Sequence, residues 1–272
     1  MSPVCHLFKH ELRRNLGQAI SWTITVTAIV LLQSAFIPSI GEWGDAIASI
    51  LETYPEAILK AFGLGNNPIM ITQPLGFHVI ESGIIITILG GIFATSLAAN
   101  LLLKEERDST ADFLLAQPLS RMQIWIGKAA AAGIYGLGFN VMITSTSIAV
   151  INILSPDPVD LRAMVIYHTY VLLLTVLLAS LGLLLSAAMR RGRTMTGMAA
   201  GITLSSFFVN AISKTTEVAK PLGYISPYQF VNSAVLDPDY GLSLGRLSYF
   251  LLGTTLLLSV SAVLYCRKDI IA

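Results

Sequence analysis

Of the 272 residues, 54% are hydrophobic and only 12% are charged, about half the charged share of an ordinary soluble domain. The formal net charge is +1 and the mean hydropathy is +0.71. The apolar residues come in runs rather than at period 2 or 3.6, so the expected solvent is lipid, and no clustered basic face invites nucleic acid.

A bilayer core about 30 Å thick takes roughly 20 helical residues to cross. Seven long stretches lack Asp, Glu, Lys and Arg: 15–41, 61–80, 82–103, 129–156, 163–189, 194–213 and 247–266. The second contains Pro68, Pro74, three glycines and Asn66-Asn67, which would leave backbone groups unsatisfied in hydrocarbon, so it is set aside. Six spans remain, at about 18–38, 82–103, 125–154, 163–188, 194–213 and 247–266. The expected fold is an all-α integral membrane protein, with residues 1–272 forming one transmembrane domain.

Ahead of the first span, Val4, Leu7, Phe8, Leu12 and Leu16 make an apolar face opposite Lys9, His10 and Arg13. This predicts an interfacial helix on the inner leaflet, with a solvated basic segment as the alternative. A cleaved secretory signal is rejected, because the following run is a full span with no small-x-small site at its end. An even number of spans puts both termini on one side. That side carries twelve Lys and Arg against five on the other, so both termini are expected in the cytoplasm. Cys5 and Cys266 then lie where thiols stay reduced. Trp22 and Trp125 fall near inner span ends, and Trp43, Tyr167, Tyr170 and Tyr249 near outer ends, as expected of headgroup-level aromatic belts.

Between the first two spans, Ile47, Ile50, Leu51, Tyr54, Ile58 and Leu59 predict a short helix on the outer leaflet. After the second span comes the charged island KEERDSTADFLLAQPLSRMQIWIGK, residues 104 to 128. Ser109 and Thr110 suit a helix cap, Pro118 ends a short helix, and Ser120 can cap the next. Ala129, Gly133, Gly136 and Gly138 suggest a tightly packed third span, and Gly197 and Gly201 form G-x-x-x-G in the fifth. That motif permits close helix approach, either between subunits or within the chain. Residues 214 to 245 have the aromatic and proline content of a partly re-entrant outer segment.

Catalytic and metal motifs are not evident. Gly127-Lys128 runs into Ala129 rather than completing a phosphate loop, and Gly241, Ser243 and Gly245 lead into a span as a plain turn. His6 and His10 lack the further ligands a metal needs, while His78 and His168 stand alone in the sequence. Catalytic, cofactor and metal sites are therefore expected to be absent from the chain. No Asp or Glu lies in the middle of a span, and Glu81 sits at an outer lip, which argues against an ion-coupled carrier. Asn140, Thr144 and Asn210 are the in-span polar residues that could line a path or simply bond neighbouring helices.

The island carries the most specific pattern. Glu106, Ser109-Thr110, Leu114-Leu115, Pro118, Ser120-Arg121 and Lys128 resemble the segment that follows the second span in the permeases of export-type ABC transporters, the type-two ABC permease family. Lys9, Glu11 and Leu12 near the N-terminus, Pro55 with Phe62-Gly63, and Ser226-Pro227-Tyr228 are similar in order along the chain. The resemblance implies an N-terminal elbow helix, a cytoplasmic coupling helix between spans two and three, and a separate cytoplasmic ABC ATPase that consumes ATP and Mg. It implies a second permease copy, identical or paralogous, with Gly197 and Gly201 as interface candidates. For ATPase coupling it points to Glu105, Glu106, Ser109, Thr110, Asp112, Phe113, Leu114, Pro118 and Arg121, with Arg190, Arg191 and Arg193 as a secondary contact, a lipid anchor or a plain topology signal. A prokaryotic cell membrane is the expected location. The alternative is a membrane scaffold or sensor that docks the same partner and transports nothing.

Overall fold

A computed structural model describes residues 3–62, 64, 68–108, 110–189 and 195–268, with the side chains at 41, 45, 48, 68, 69, 113 and 115 outside the description. Ser109, Arg190, Arg191 and Arg193 lie outside the described residues, as does the side chain of Phe113. The described residues form helices joined by turns and irregular segments, without strands, and six helices are long and apolar enough to cross a membrane.

The helices are α1 (Pro3–Ser34), α2 (Ile37–Leu51), α3 (Glu56–Ala61), α4 (Pro74–Phe77), α5 (Gly83–Arg107), α6 (Ala111–Leu115), α7 (Arg121–Leu154), α8 (Leu161–Ala188), α9 (Met195–Ser213) and α10 (Leu244–Arg267). Helices α5 and α8 form the centre. Their most apolar windows are 72% and 61% buried, against 22% for α9 and 17% for α10. Helices α1 and α7 pack together beside this pair, α9 lies on α5, and α10 lies on α8.

Small residues let α5 and α8 approach. A Cβ on Gly182 would stand 2.3 Å from the Thr95 carbonyl oxygen, and one on Gly91 would stand 2.8 Å from Leu178. The third span behaves otherwise, because a Cβ added at Gly133 or Gly138 would meet nothing within 4 Å among the described residues. Close packing therefore belongs to the central pair, and these two glycines of α7 face outward. Where α1, α5 and α7 meet, the Phe93 ring lies 6.2 Å from Trp22 and 5.0 Å from Phe139, between centroids.

The elements differ from expectation in instructive places. The N-terminal amphipathic segment is helical but continues without interruption into the first span as one 32-residue helix. At 1.5 Å per residue it is about 48 Å long, so roughly a third of it exceeds a hydrocarbon core. The set-aside stretch 61–80 forms no span of its own. Its end, from Pro74, runs through α4 and a π-helical turn at His78–Ser82 directly into α5. The predicted outer helix appears as α2 and α3, separated before Pro55.

Ser120 caps α7 through a full capping box, its Oγ accepting from Gln123 N at 3.2 Å while Gln123 Oε1 accepts from Ser120 N at 2.9 Å. Thr110 occupies the N-cap position of α6 but makes no side-chain cap bond. Tyr167 and Tyr170, expected at headgroup level, are buried. The Tyr170 hydroxyl accepts from Ser243 N at 2.8 Å and donates to Gly241 O at 3.2 Å, tying the turn before α10 to α8. His78 and His168 are brought together, Nε2 to Nε2 3.4 Å, with both rings buried.

The segment between α9 and α10 folds back over the bundle, as its composition suggests. Tyr228 donates to Thr87 O at 3.2 Å, and Phe230 stacks on Tyr249 with centroids 3.6 Å apart.

Candidate coupling surface

The α5–α6–α7 corner lies at the same end of the bundle as the start of α1 and the end of α10. Helix α6 is a single short turn held between two anchors. Ala111 is buried beneath it, while Asp112, Gln117 and Pro118 are exposed and Thr110 and Leu114 are half-buried. Pro118 follows the helix as expected, and the chain turns sharply into the capped start of α7.

At the end of α5, just before α6, four charged residues reach across to three neighbouring helices. The Lys104 ammonium donates to Glu11 Oε2 of α1. Glu105 Oε2 accepts from Lys128 Nζ of α7 at 2.7 Å. Glu106 Oε1 lies 2.7 Å from Lys268 Nζ, at the end of α10. Asp108 Oδ2 accepts from Arg14 Nη2 of α1 at 3.0 Å.

The inner part of this network is closed off from water. Side-chain exposure is 1% for Glu11, 5% for Lys104, 0% for Lys128 and 12% for Glu105. Lys128 Nζ also lies 3.3 Å from Glu11 Oε1 and donates to the Leu101 carbonyl. Two carboxylates thus balance two ammonium groups, which is the condition for keeping charges buried.

The outer part ties down the chain's last helix. Lys268 Nζ donates to Ser186 O of α8 at 3.2 Å, and the Arg121 guanidinium donates to Lys268 O. Trp125 adds a bond from Nε1 to Ser261 Oγ of α10 at 3.1 Å. At the more exposed rim, hydrogen bonding from Arg107 and the nearby Arg14 guanidinium hold the Asp108 carboxyl below the usual carboxylate range.

Sequence-predicted residues therefore divide by orientation. Glu105, Glu106 and Arg121 point into the corner and hold it together, while Asp112 is presented to solvent. A groove of about 550 Å³ runs beside α6, lined by Leu7, His10 and Arg14 of α1 and by Leu114, Pro118 and Leu119. The partners Glu11, Lys104, Lys128 and Lys268 were not singled out as a set. The available signal was Glu11, the one acid on the apolar N-terminal helix before the first span.

The other candidates are dispersed. Asn140 is buried and donates to Gly136 O of its own helix at 2.8 Å. Thr144 is half-buried on α7. Asn210 lies at the opposite end of the bundle, lining a small cavity between α5, α8 and α9. On α9, a Cβ added at Gly197 or Gly201 would meet nothing within 4 Å among the described residues, and both glycines are exposed.

Six long apolar helices, four of them arranged about the central pair α5 and α8, with charged residues gathered at the bundle's ends, define a multi-pass membrane protein. A family model described as ABC-2 family transporter protein matches residues 7–270, and the chain belongs to that family as a membrane-spanning permease of the ABC-2 type. A comparison with curated proteins returns no match.

Proposed function

We propose that this chain is the permease subunit of an ATP-driven exporter, with a separate cytoplasmic ABC ATPase docking on α6 and its flanking groove. The observation that carries the reading is the charge clamp behind α6. Lys104, Glu105, Glu106 and Asp108 bind α1, α7, α10 and again α1, so a displacement of α6 is passed to three spans together. A partner that only needed an anchoring point would gain nothing from such rigid connection, whereas a transporter driven from outside the membrane requires it.

ATP and Mg belong to the partner in this reading, and the permease contributes no catalytic group. Both termini and α6 face the cytoplasm of a prokaryotic cell membrane, in keeping with the distribution of Lys and Arg. Two copies associate through the open α9 face at Gly197 and Gly201, where no described side chain of the same chain intervenes. Residues 1–272 act as one unit, and export is the direction implied by the family.

The test is a photocrosslinking residue placed at Gln117, which is exposed beside α6. In native membranes it should capture a cytoplasmic polypeptide whose peptides include a nucleotide-binding phosphate loop. The same probe at exposed Leu242, at the other end of the bundle, should not capture it. Equal capture at both positions contradicts the proposed docking.

A further inference from the structure

Between α7, α8 and α10, within the spans themselves, lies an open groove of about 310 Å³. Small residues make room for it, among them Ala129, Ala132, Gly133, Gly136 and Ala179. A Cβ added at Gly133 would meet nothing within 4 Å among the described residues, so the space in front of this glycine is free.

The groove is chemically plain. No described lining residue carries a charge, and its polar side chains are already engaged. Thr175 Oγ1 donates to Val171 O at 2.8 Å, Ser180 Oγ donates to Val176 O at 2.6 Å, and Trp125 Nε1 donates to Ser261 Oγ at 3.1 Å. A polar ligand would therefore find no free side-chain donor here, and in a membrane-spanning bundle such a surface is matched by hydrocarbon.

The extent of the groove selects among hydrocarbon occupants. Trp125 stands about one turn inside the α6 end of α7, and Leu183 stands five residues before the end of α8. The lining stops at Gly136 and Thr175, which meet across the two helices, a Cβ on Gly136 standing 3.8 Å from the Thr175 methyl group. From Trp125 to Gly136 the helix rises about 16 Å, roughly half of a 30 Å hydrocarbon core and so the depth of one leaflet. A helix of a second copy would follow the whole span at an axial distance of about 8–10 Å and would not end in the middle. Self-association is assigned above to α9, which lies on α5 rather than beside this groove. We infer that the groove holds one acyl chain of a bilayer phospholipid from the leaflet on the α6 side, with the headgroup near Trp125 and the chain end near Gly136. An indole fixed at that depth suits the boundary between headgroups and chains. The site rests on the multi-pass architecture and not on ATPase docking.

The experiment compares the full chain with Gly133→Phe and Gly138→Phe, each purified from membranes in neutral detergent. An added Cβ is unobstructed at both glycines among the described residues, but only Gly133 lines the groove. The probes are dimyristoyl phosphatidylcholine and glycerophosphocholine, which carries the same headgroup without chains. Binding is read as phospholipid mass retained in native mass spectrometry and as a shift in melting temperature. Wild type and Gly138→Phe should retain phospholipid and be stabilised by the chain-bearing probe, not by glycerophosphocholine. Gly133→Phe should bind phospholipid at least tenfold more weakly, since keeping about two methylenes out of a buried site already amounts to that. If Gly133→Phe does not fold, Ala179→Leu, on the α8 side of the groove, decides. Unchanged lipid retention in the folded groove variant, equal loss in Gly138→Phe, or equal stabilisation by glycerophosphocholine overturns the inference. A lower dimeric fraction in Gly133→Phe with unchanged lipid retention also overturns it and assigns the groove to a second copy.

Discussion

The charges at the α6 end of the bundle show how a few ionisable groups can set the geometry of a membrane protein. Glu11 alone neutralises part of two buried ammonium groups, Lys104 and Lys128. Glu11→Gln leaves them with only Glu105, and breaking a buried pair in this way costs about 3–5 kcal/mol. Thermal unfolding in detergent should show a large loss for Glu11→Gln and substantial recovery in Glu11→Gln/Lys104→Met, which restores one acid to one base. Equal loss in both would mean that packing rather than charge balance holds the corner.

Asp108 adds a pH dependence of known sign. Its folded-state pKa is lowered, chiefly by the Arg107 hydrogen bond, with nearby Arg14 contributing. Its contribution is present above the ordinary carboxylate range and is lost as pH falls through its folded value. Asp108→Asn should therefore remove a small part of the acid-side decline in melting temperature while leaving the neutral-to-alkaline region parallel to wild type. The side chain is 34% exposed, so solvent screening keeps the effect small.

For single residues the sequence is only half legible. Glu105, Glu106 and Arg121 are conspicuous as charges in an apolar chain, but their inward direction depends on Lys128 and Lys268, distant in sequence and close only after folding. The same holds for His78 and His168, which stand 90 positions apart and meet where α8 packs against the turn leading into α5. A list of charges along a chain contains no information about which face of a helix meets which neighbour.

Among the elements, the long apolar runs and the start of α7 are readable because their causes are local. A run of about 20 apolar residues suffices for a span, and Ser120 with Gln123 makes its cap within four residues. The helix start near 74–82 is less accessible, since α4 and its π-helical turn are helical despite Pro74 and Gly76 within α4 and the prolines and glycines before it. Partner packing explains why the glycines of the third span mislead. Gly182 meets the Thr95 backbone across α8 and α5, whereas Gly133 meets nothing among the described residues.

This contrast makes a prediction about elements. Gly182→Val must push α8 away from the α5 backbone and should destabilise the isolated chain by about 1–3 kcal/mol or more. Gly201→Val, on the open face of α9, should leave the melting temperature close to wild type and instead lower the dimeric fraction in crosslinking at low detergent. Loss of stability in Gly201→Val with unchanged self-association would place that face inside the chain's own packing.

For the whole molecule, the family and the overall architecture are both accessible from sequence, since composition, six spans and the order of motifs all act over the full length. Substrate recognition is not, because polar residues within spans serve packing as readily as passage. Asn140 bonds its own helix, while Asn210 faces a cavity with its oxygen unpaired among the described residues. What the structure adds is a contrast between the two ends: a clamped, charge-balanced corner beside α6 and a small, mostly apolar cavity lined by Asn210 and Lys214 at the other end.

Docking at α6 is best tested by purifying the solubilised chain from its native membrane, wild type beside Asp112→Lys. Asp112 is exposed on α6 and takes no part in the clamp, so its reversal changes the docking face without removing a structural ion pair. An ABC ATPase should copurify with wild type and be lost from an Asp112→Lys protein of unchanged melting temperature. Absence of any ATPase from wild type, even after crosslinking in the membrane, would contradict a permease driven through α6.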